Sequence, residues 1–284
     1  MAKRLGPRRG LRGGVLGGRA LVAQAMDSGV VLGRHAGPDG EANDIAFVPD
    51  LVAVLRDQVA APLLWVADRQ FGFPAVLARL AAGTDRFLVR HHGQVCFSRD
   101  TGRRVRTGTD PDGRSYHQEW GWLGGTQNPH RRSVRRLVLD VGKEHLVVGT
   151  DLVDPAGYPA VALLGGYRRR WGLAGVFQQS TAVFGLARLI GGTAAATVFQ
   201  LSFCLVLYNL TQALRGYVSA AGDRPVTEGS GAKVFRDLTR ELITWRTLLT
   251  VEETLACLGA VPTAAEAGGR LRELLNGLWR EEWA

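Results

Sequence analysis

The sequence predicts an α/β fold: a mixed sheet flanked by helices, with an all-β segment ahead of a long helical stretch and a helical tail. Three observations carry this. The apolar run Leu63-Leu64-Trp65-Val66-Ala67 ends at Asp68-Arg69 and suits a buried central strand. Between His91 and Asp151 the pattern breaks into short alternating pieces separated by Gly, Pro, Asp and Asn turns. After Asp154-Pro155, helical spacing returns and persists through Tyr217, with an interruption expected at Gly191-Gly192.

Residues 1–18 hold six glycines and several arginines but no acid, and they read as an irregular basic arm. A phosphate loop would have to run into a helix, whereas this Gly-rich run leads into the strand pattern Ala20-Leu21-Val22-Ala23. That strand and Val30-Val31-Leu32 flank Met26-Asp27-Ser28-Gly29, which reads as a hairpin turn and makes Asp27 a turn residue. Ile45, Val48, Leu51, Val52, Leu55 and Val59 recur at helical spacing, so an amphipathic helix is expected over 43–59. Asp39, Glu41 and Asp44 precede or open it, where the helix dipole favours an acid. A second helix is expected over 74–82, with Pro74 in its first turn, and a strand over 86–90.

Strands are then expected at 94–97, 116–122, 134–141 and 145–150. In the later helical stretch Phe199, Phe203, Leu207 and Leu210 share a helical stripe and are expected in the core. The tail carries two more helical patterns, one with Phe235, Leu238, Leu242 and Trp245, the other with Leu271, Leu274, Leu275 and Leu278. The expected division is therefore 1–18, a basic arm; 19–91, the first part of the α/β core; 92–150, a β-rich insertion; 151–221, core helices; and 222–284, a helical tail.

A formal net charge of +9 and a pI near 10.2 favour a polyanionic partner, because each neutralised phosphate releases condensed counterions. The arginines also cluster, at Arg131, Arg132, Arg135 and Arg136 and again at Arg168, Arg169 and Arg170. Cys96, Cys204 and Cys257 are too far apart for a zinc motif or a disulfide framework, which suits a reducing cytosol. The basic N-terminus is broken by Gly and Arg and is not of signal-peptide type. Thr193 to Leu210 approaches membrane length but contains Gln200, Ser202 and Asn209, so it reads as a buried core helix and no membrane role is expected. The pair His91-His92 lacks metal-ligand partners at defined spacing and reads as solvated or DNA-facing. No Gly-x-Ser-x-Gly elbow supports serine hydrolase chemistry.

The most specific stretch is Tyr167-Arg168-Arg169-Arg170-Trp171-Gly172-Leu173-Ala174, read as a basic, aromatic helix start. Tyr167, Arg170, Ala174, Phe177 and Thr181 share one helical stripe, so position 174 faces where Tyr167 and Arg170 face. Together with Trp65-Val66-Ala67-Asp68-Arg69-Gln70-Phe71-Gly72 and the block from Thr150-Asp151-Leu152 to Gln200, this stretch resembles the transposases of the insertion-sequence-4 type. The resemblance covers about two-thirds of the chain. It implies a ribonuclease-H-like fold, and an activity in which two Asp and one Glu hold two divalent ions, Mg2+ or Mn2+, for DNA strand cleavage and strand transfer.

By position, Asp68 matches the second Asp and would be the metal-binding carboxylate. Tyr167 and Arg170 match the Tyr and Arg of the signature helix, and Ala174 stands where that family has its Glu. Thr181 stands where it has Lys. The first Asp belongs on a strand ahead of Ala20, which this chain is expected to lack. Arg69, Arg131, Arg132, Arg168 and Arg169 are expected to contact DNA. The resemblance thus implies a transposase for DNA transposition, represented by a truncated, catalytically defective copy with weak or absent metal binding. A reading of a different class is a non-catalytic DNA-binding protein, or a dominant-negative partner of an intact transposase. DNA is the expected partner in both, with a second copy or an intact transposase as a possible protein partner.

Overall fold

The computed structural model describes residues 19–37, 43–142, 144–170, 176, 183, 193–224, 226 and 230–248. The basic arm, Asp39, Glu41, Trp171, Ala174, Phe177, Thr181, Gly191-Gly192, Cys257 and the Leu271–Leu278 pattern lie outside them. The chain divides into two compact units, one from 1–23 and 32–174, the other from 24–31 and 175–284.

β1 (Arg19–Gln24) and β2 (Val31–Gly37) form a two-stranded sheet. Gly29 takes the left-handed conformation the turn needs, with φ +72°, and Asp27 accepts the Ser28 N–H at 2.7 Å, so Asp27 is the turn residue expected. Asn43 caps a 3-10 turn over Asp44–Phe47 that leads into α1 (Val48–Gln58). Asp44 does more than favour a helix start: it is 2% exposed, ion-paired with Arg19, and accepts the Gln70 amide at 2.9 Å.

The main sheet runs in the order β3-β4-β9-β8-β7-β5, with β6 also on β7. Its strands are β3 (Leu64–Ala67), β4 (Arg86–Arg90), β5 (Phe97–Arg99), β6 (Arg106–Thr109), β7 (Ser115–Leu123), β8 (Arg132–Val141) and β9 (Glu144–Thr150). β3 and β4 are parallel, joined through a 3-10 turn over Arg69–Phe71 and α2 (Pro74–Leu80), while every other pair is antiparallel. The fold is thus mixed α/β. Two expectations need correction. β3 is an edge strand rather than a central one, with Leu64 46% exposed, because an apolar run reports burial of its faces and not the presence of two neighbours. The strands between 92 and 150 extend the same sheet, since β9 pairs directly with β4, Leu88 opposite Thr150.

Strict alternation builds a helix layer on each face. Phe87 and Val89 pack with Trp65, Ala67, α1 and α2, whereas Leu88 and Val66 pack with Leu137, Leu139, Val148 and α3 (Ala160–Arg169). Burying each of these side chains contributes roughly 1.5–3 kcal/mol. The second unit holds α4 (Ala194–Ala221), capped by Thr193, and α5 (Gly231–Leu248). Val218 and Val234 pack together with Leu214 and Leu238, and the Asn209 amide bonds both N–H and C=O of Val31 at 2.8 Å. The stripe expected in the core is not buried: Phe199, Phe203 and Leu210 are 69%, 54% and 56% exposed, because α4 turns Leu201, Cys204, Leu205 and Tyr208 inward instead. Among the described residues no helix is long and apolar enough to cross a membrane.

Candidate functional site

Asp68 follows the last residue of β3 and caps the 3-10 turn, its carboxylate accepting the Arg69 N–H at 2.7 Å. Val66 packs on the side of the sheet covered by α3, and the side-chain period of two puts Asp68 on that same side. The register Ala67 opposite Val89 sets Asp68 level with Arg90, followed by His91 and His92. Gly72 allows the turn to close on the end of β4. A Cβ there would stand 3.0 Å from the Arg90 carbonyl oxygen and 3.3 Å from the His92 nitrogen.

The signature residues arrive from the opposite direction to that expected. Tyr167-Arg168-Arg169 form the last turn of α3 and Arg170 is its C-cap, so the stretch ends a helix beginning at Ala160 rather than starting one. Small residues at Ala160, Ala162, Gly165 and Gly166 blur the helical pattern ahead of Tyr167. Tyr167 is 1% exposed and packs against Leu88, Leu137 and Val148. The Arg170 guanidinium lies over its ring at 5.2 Å and stands 3.9 Å from the Asp68 carboxylate. Burial pushes the Tyr167 phenol above its ordinary range; the Arg170 charge opposes that and the Asp68 charge adds to it. Tyr167 is therefore a protonated, buried phenol at neutral pH, and it props Arg170 toward Asp68.

The structure thus brings Asp68, Tyr167 and Arg170 together. Ala174 lies outside the described residues. Arg90, Gly72 and the two histidines belong to the same corner but were not singled out for it. Their signal was the parallel pairing itself, which carries the end of the 86–90 strand to the level of Asp68. Burial holds His91 below its ordinary 6.5, with Arg136 and His92 pushing the same way, so its ring is neutral at pH 7.

Other carboxylates are engaged elsewhere. Asp151 closes β9 on β4 by accepting the Phe87 N–H at 2.9 Å, and the Thr150 hydroxyl donates to the Phe87 carbonyl at 2.6 Å. Phe87 stands three residues before Arg90, so Asp151 sits roughly 10 Å along the strands from the level of Asp68. Burial raises its pKa, opposed by the Phe87 N–H and by Arg86 and Arg132. Asp154 holds the Ala156 and Gly157 N–H groups of the turn ahead of α3. Glu144 is exposed at the start of β9. Among the described residues no group of three or more His, Cys, Asp or Glu side chains is placed to hold a metal. Asp68 offers a divalent ion one carboxylate, already facing a guanidinium, and that donor set does not fit a two-metal centre.

The arginine clusters divide once strand alternation is applied. Arg135 is fully buried and bonds Gln118 Oε1 at 2.8 Å and the Tyr158 carbonyl at 2.6 Å, so it is a structural cation. Arg136 pairs with Glu119 and stacks on Phe97 at 4.0 Å. Arg132 lies over Phe87 at 5.2 Å, half-buried, with the Asp151 charge acting on it. Arg131 covers the partly exposed Trp122 at 4.9 Å. Arg168 is exposed and pairs with Asp112 at 2.9 Å, while Arg169 and Arg69 are exposed. The four arginines of 131–136 are therefore not one surface; among the described residues Arg69 and Arg90 belong with Arg170 to the Asp68 corner, and the exposed Arg169 is next to Arg170 in the chain. No protein-family model and no curated protein matches this chain.

Proposed function

We propose that this chain is a transposase-derived DNA-binding protein, with a ribonuclease-H-like core of the insertion-sequence-4 type that grips phosphates without performing strand transfer. The observation that carries the reading is the meeting of Asp68, Tyr167 and Arg170 at the end of one parallel strand. Two signature blocks separated by nearly a hundred residues converge on one corner, as a shared catalytic ancestry would require. In that family the acid at the Asp68 position holds Mg2+ or Mn2+; here Asp68 neutralises Arg170, and Arg69, Arg90 and Arg169 supply positive charge to a phosphate backbone.

DNA binding titrated against salt tests this. Affinity falls steeply as salt rises, and the slope of log affinity against log salt becomes shallower by about one in Arg69→Ala or Arg169→Ala. A flat salt response, or slopes unchanged in both variants, would remove the phosphate contacts from the account. The reading as a dominant-negative partner shares this surface and adds the expectation that the chain slows an intact transposase in a mixed reaction.

A further inference from the structure

The turn joining β6 to β7 is Asp110-Pro111-Asp112-Gly113-Arg114, a sequence that fixes its own shape. Pro111 restricts the backbone at the first corner, and Gly113 takes the left-handed conformation, φ +78°, that closes the turn. Asp110 is buried. One of its oxygens accepts the Asp112 N–H at 3.0 Å and the Arg114 N–H at 2.8 Å, and the other accepts Arg114 Nε at 2.9 Å. Asp110 therefore both holds the turn and neutralises Arg114, which makes Asp112 at the tip a second acid on an arginine that already has one.

That second acid reaches α3. Asp112 Oδ2 accepts from Arg168 Nη1 at 2.9 Å, across 56 residues of sequence, and the same oxygen pairs with Arg114 Nη2. One oxygen between two guanidinium groups is the arrangement that a phosphate oxygen makes with paired arginines. Arg168 follows Tyr167 and stands two residues before Arg170, so the occupied arginine borders the Asp68 corner. The other exposed arginine pairs of similar openness, Arg103 with Asp100 and Arg240 with Asp237, only join residues three apart.

We infer that Asp112 is an internal stand-in for a DNA phosphate: the β6–β7 tip occupies Arg168, and DNA gains that arginine only by displacing the tip. The inference rests on the reading of this corner as a DNA-binding surface. An exposed pair between two freely moving side chains contributes little, because ordering both offsets their attraction. Here the turn has ordered the acid beforehand, and only the arginine loses freedom on pairing. The pair nevertheless stays open, with side chains 46% and 55% exposed, so a polyanion can compete for it. A duplex releases condensed counterions when a cation replaces them, and a single carboxylate does not. DNA therefore displaces Asp112 at low salt and yields to it as salt rises.

Binding of the full chain to a duplex is titrated against salt for the unsubstituted protein, Asp112→Asn, Asp112→Asn with Arg168→Ala, and Asp57→Asn. Asn suits the turn and Asp110 still answers Arg114, so the thermal midpoint of Asp112→Asn is expected to hold. At low salt Asp112→Asn is expected to bind about threefold to tenfold tighter, with a slope of log affinity against log salt steeper by about one. The double variant is expected to lose that gain. Asp57, exposed on α1 against the opposite face of the sheet, carries the same charge away from Arg168, and Asp57→Asn is expected to change neither affinity nor slope. The inference is overturned if Asp112→Asn behaves as Asp57→Asn does, or if its gain survives the loss of Arg168. Either result, in a chain whose slope still falls in Arg69→Ala, leaves the DNA-binding reading standing; absence of salt-dependent binding in every protein overturns both.

Discussion

Two aspartates stand at the two ends of β3 and are used in opposite ways. Asp85, which opens β4 beside the start of β3, has a side chain 4% exposed and accepts the Leu63 N–H at 2.9 Å, the Trp65 indole N–H at 2.9 Å and Arg56 at 2.8 Å. Asp68, at the other end, has a side chain 34% exposed, caps its own turn, and meets Arg170 only at 3.9 Å. A buried carboxylate must have every lone pair answered, so Asp85 is a joint. A carboxylate left partly open beside a guanidinium, at the carboxyl end of a parallel strand, is placed to meet a ligand. Sequence shows both as acids beside an apolar strand; only partners distinguish them.

Variants can break this contrast. Asp85→Ala takes the acceptor from the Leu63 and Trp65 N–H donors and removes the Arg56 ion pair, and should lower stability by about 3–5 kcal/mol, read as a fall in urea midpoint. Gly72→Val should cost about 1–3 kcal/mol, since the added atoms press on the Arg90 and Arg69 carbonyls, and it should also weaken DNA binding by moving the Asp68 turn. Asp68→Ala should cost about 0.5–2 kcal/mol, the loss of a turn cap and less than Asp85→Ala, while leaving DNA affinity equal or tighter, because it removes a negative charge beside Arg170. If Asp68→Ala destabilised as much as Asp85→Ala, the two aspartates would be equivalent and the site reading would lose its basis.

The smallest effect concerns pH. His91 has a folded-state pKa below its unfolded value, so its neutral form belongs to the folded protein and protonation favours the unfolded chain. The stability linked to this group is present above the unfolded value and declines as pH falls through 6.5 toward the folded one. Comparing urea midpoints at pH 7.5 and 5.5, His91→Gln should show a smaller drop than the unsubstituted chain. An equal drop in both would place the histidine in solvent.

The parts of the corner around Asp68 each had a local signal, and their meeting was implied only by the resemblance. An apolar run stopped by an acid marks a strand end, and Tyr167 with Arg170 one turn later marks a helix face. Direction was not legible: the glycines and alanines of 160–166 carry little periodicity, so the turn that ends α3 read as the start of a helix. Nor was the role of the arginines. Arg135 and Arg136 are adjacent in sequence, yet strand alternation sends the first into full burial against Gln118 and Tyr158 and the second to Glu119 and Phe97. On α4 the failure has another cause. Where a helix is apolar on two sides, periodicity identifies both stripes but cannot say which one the fold buries, and Phe199, Phe203 and Leu210 proved to be the exposed set.

The proposal that this corner holds DNA without cutting it is tested most directly by incubating the purified chain and Asp68→Ala with supercoiled DNA carrying transposon ends, in Mg2+ and in Mn2+. The account predicts retained binding and no nicking beyond background in either protein. Nicking by the unsubstituted chain that disappears in Asp68→Ala would contradict it.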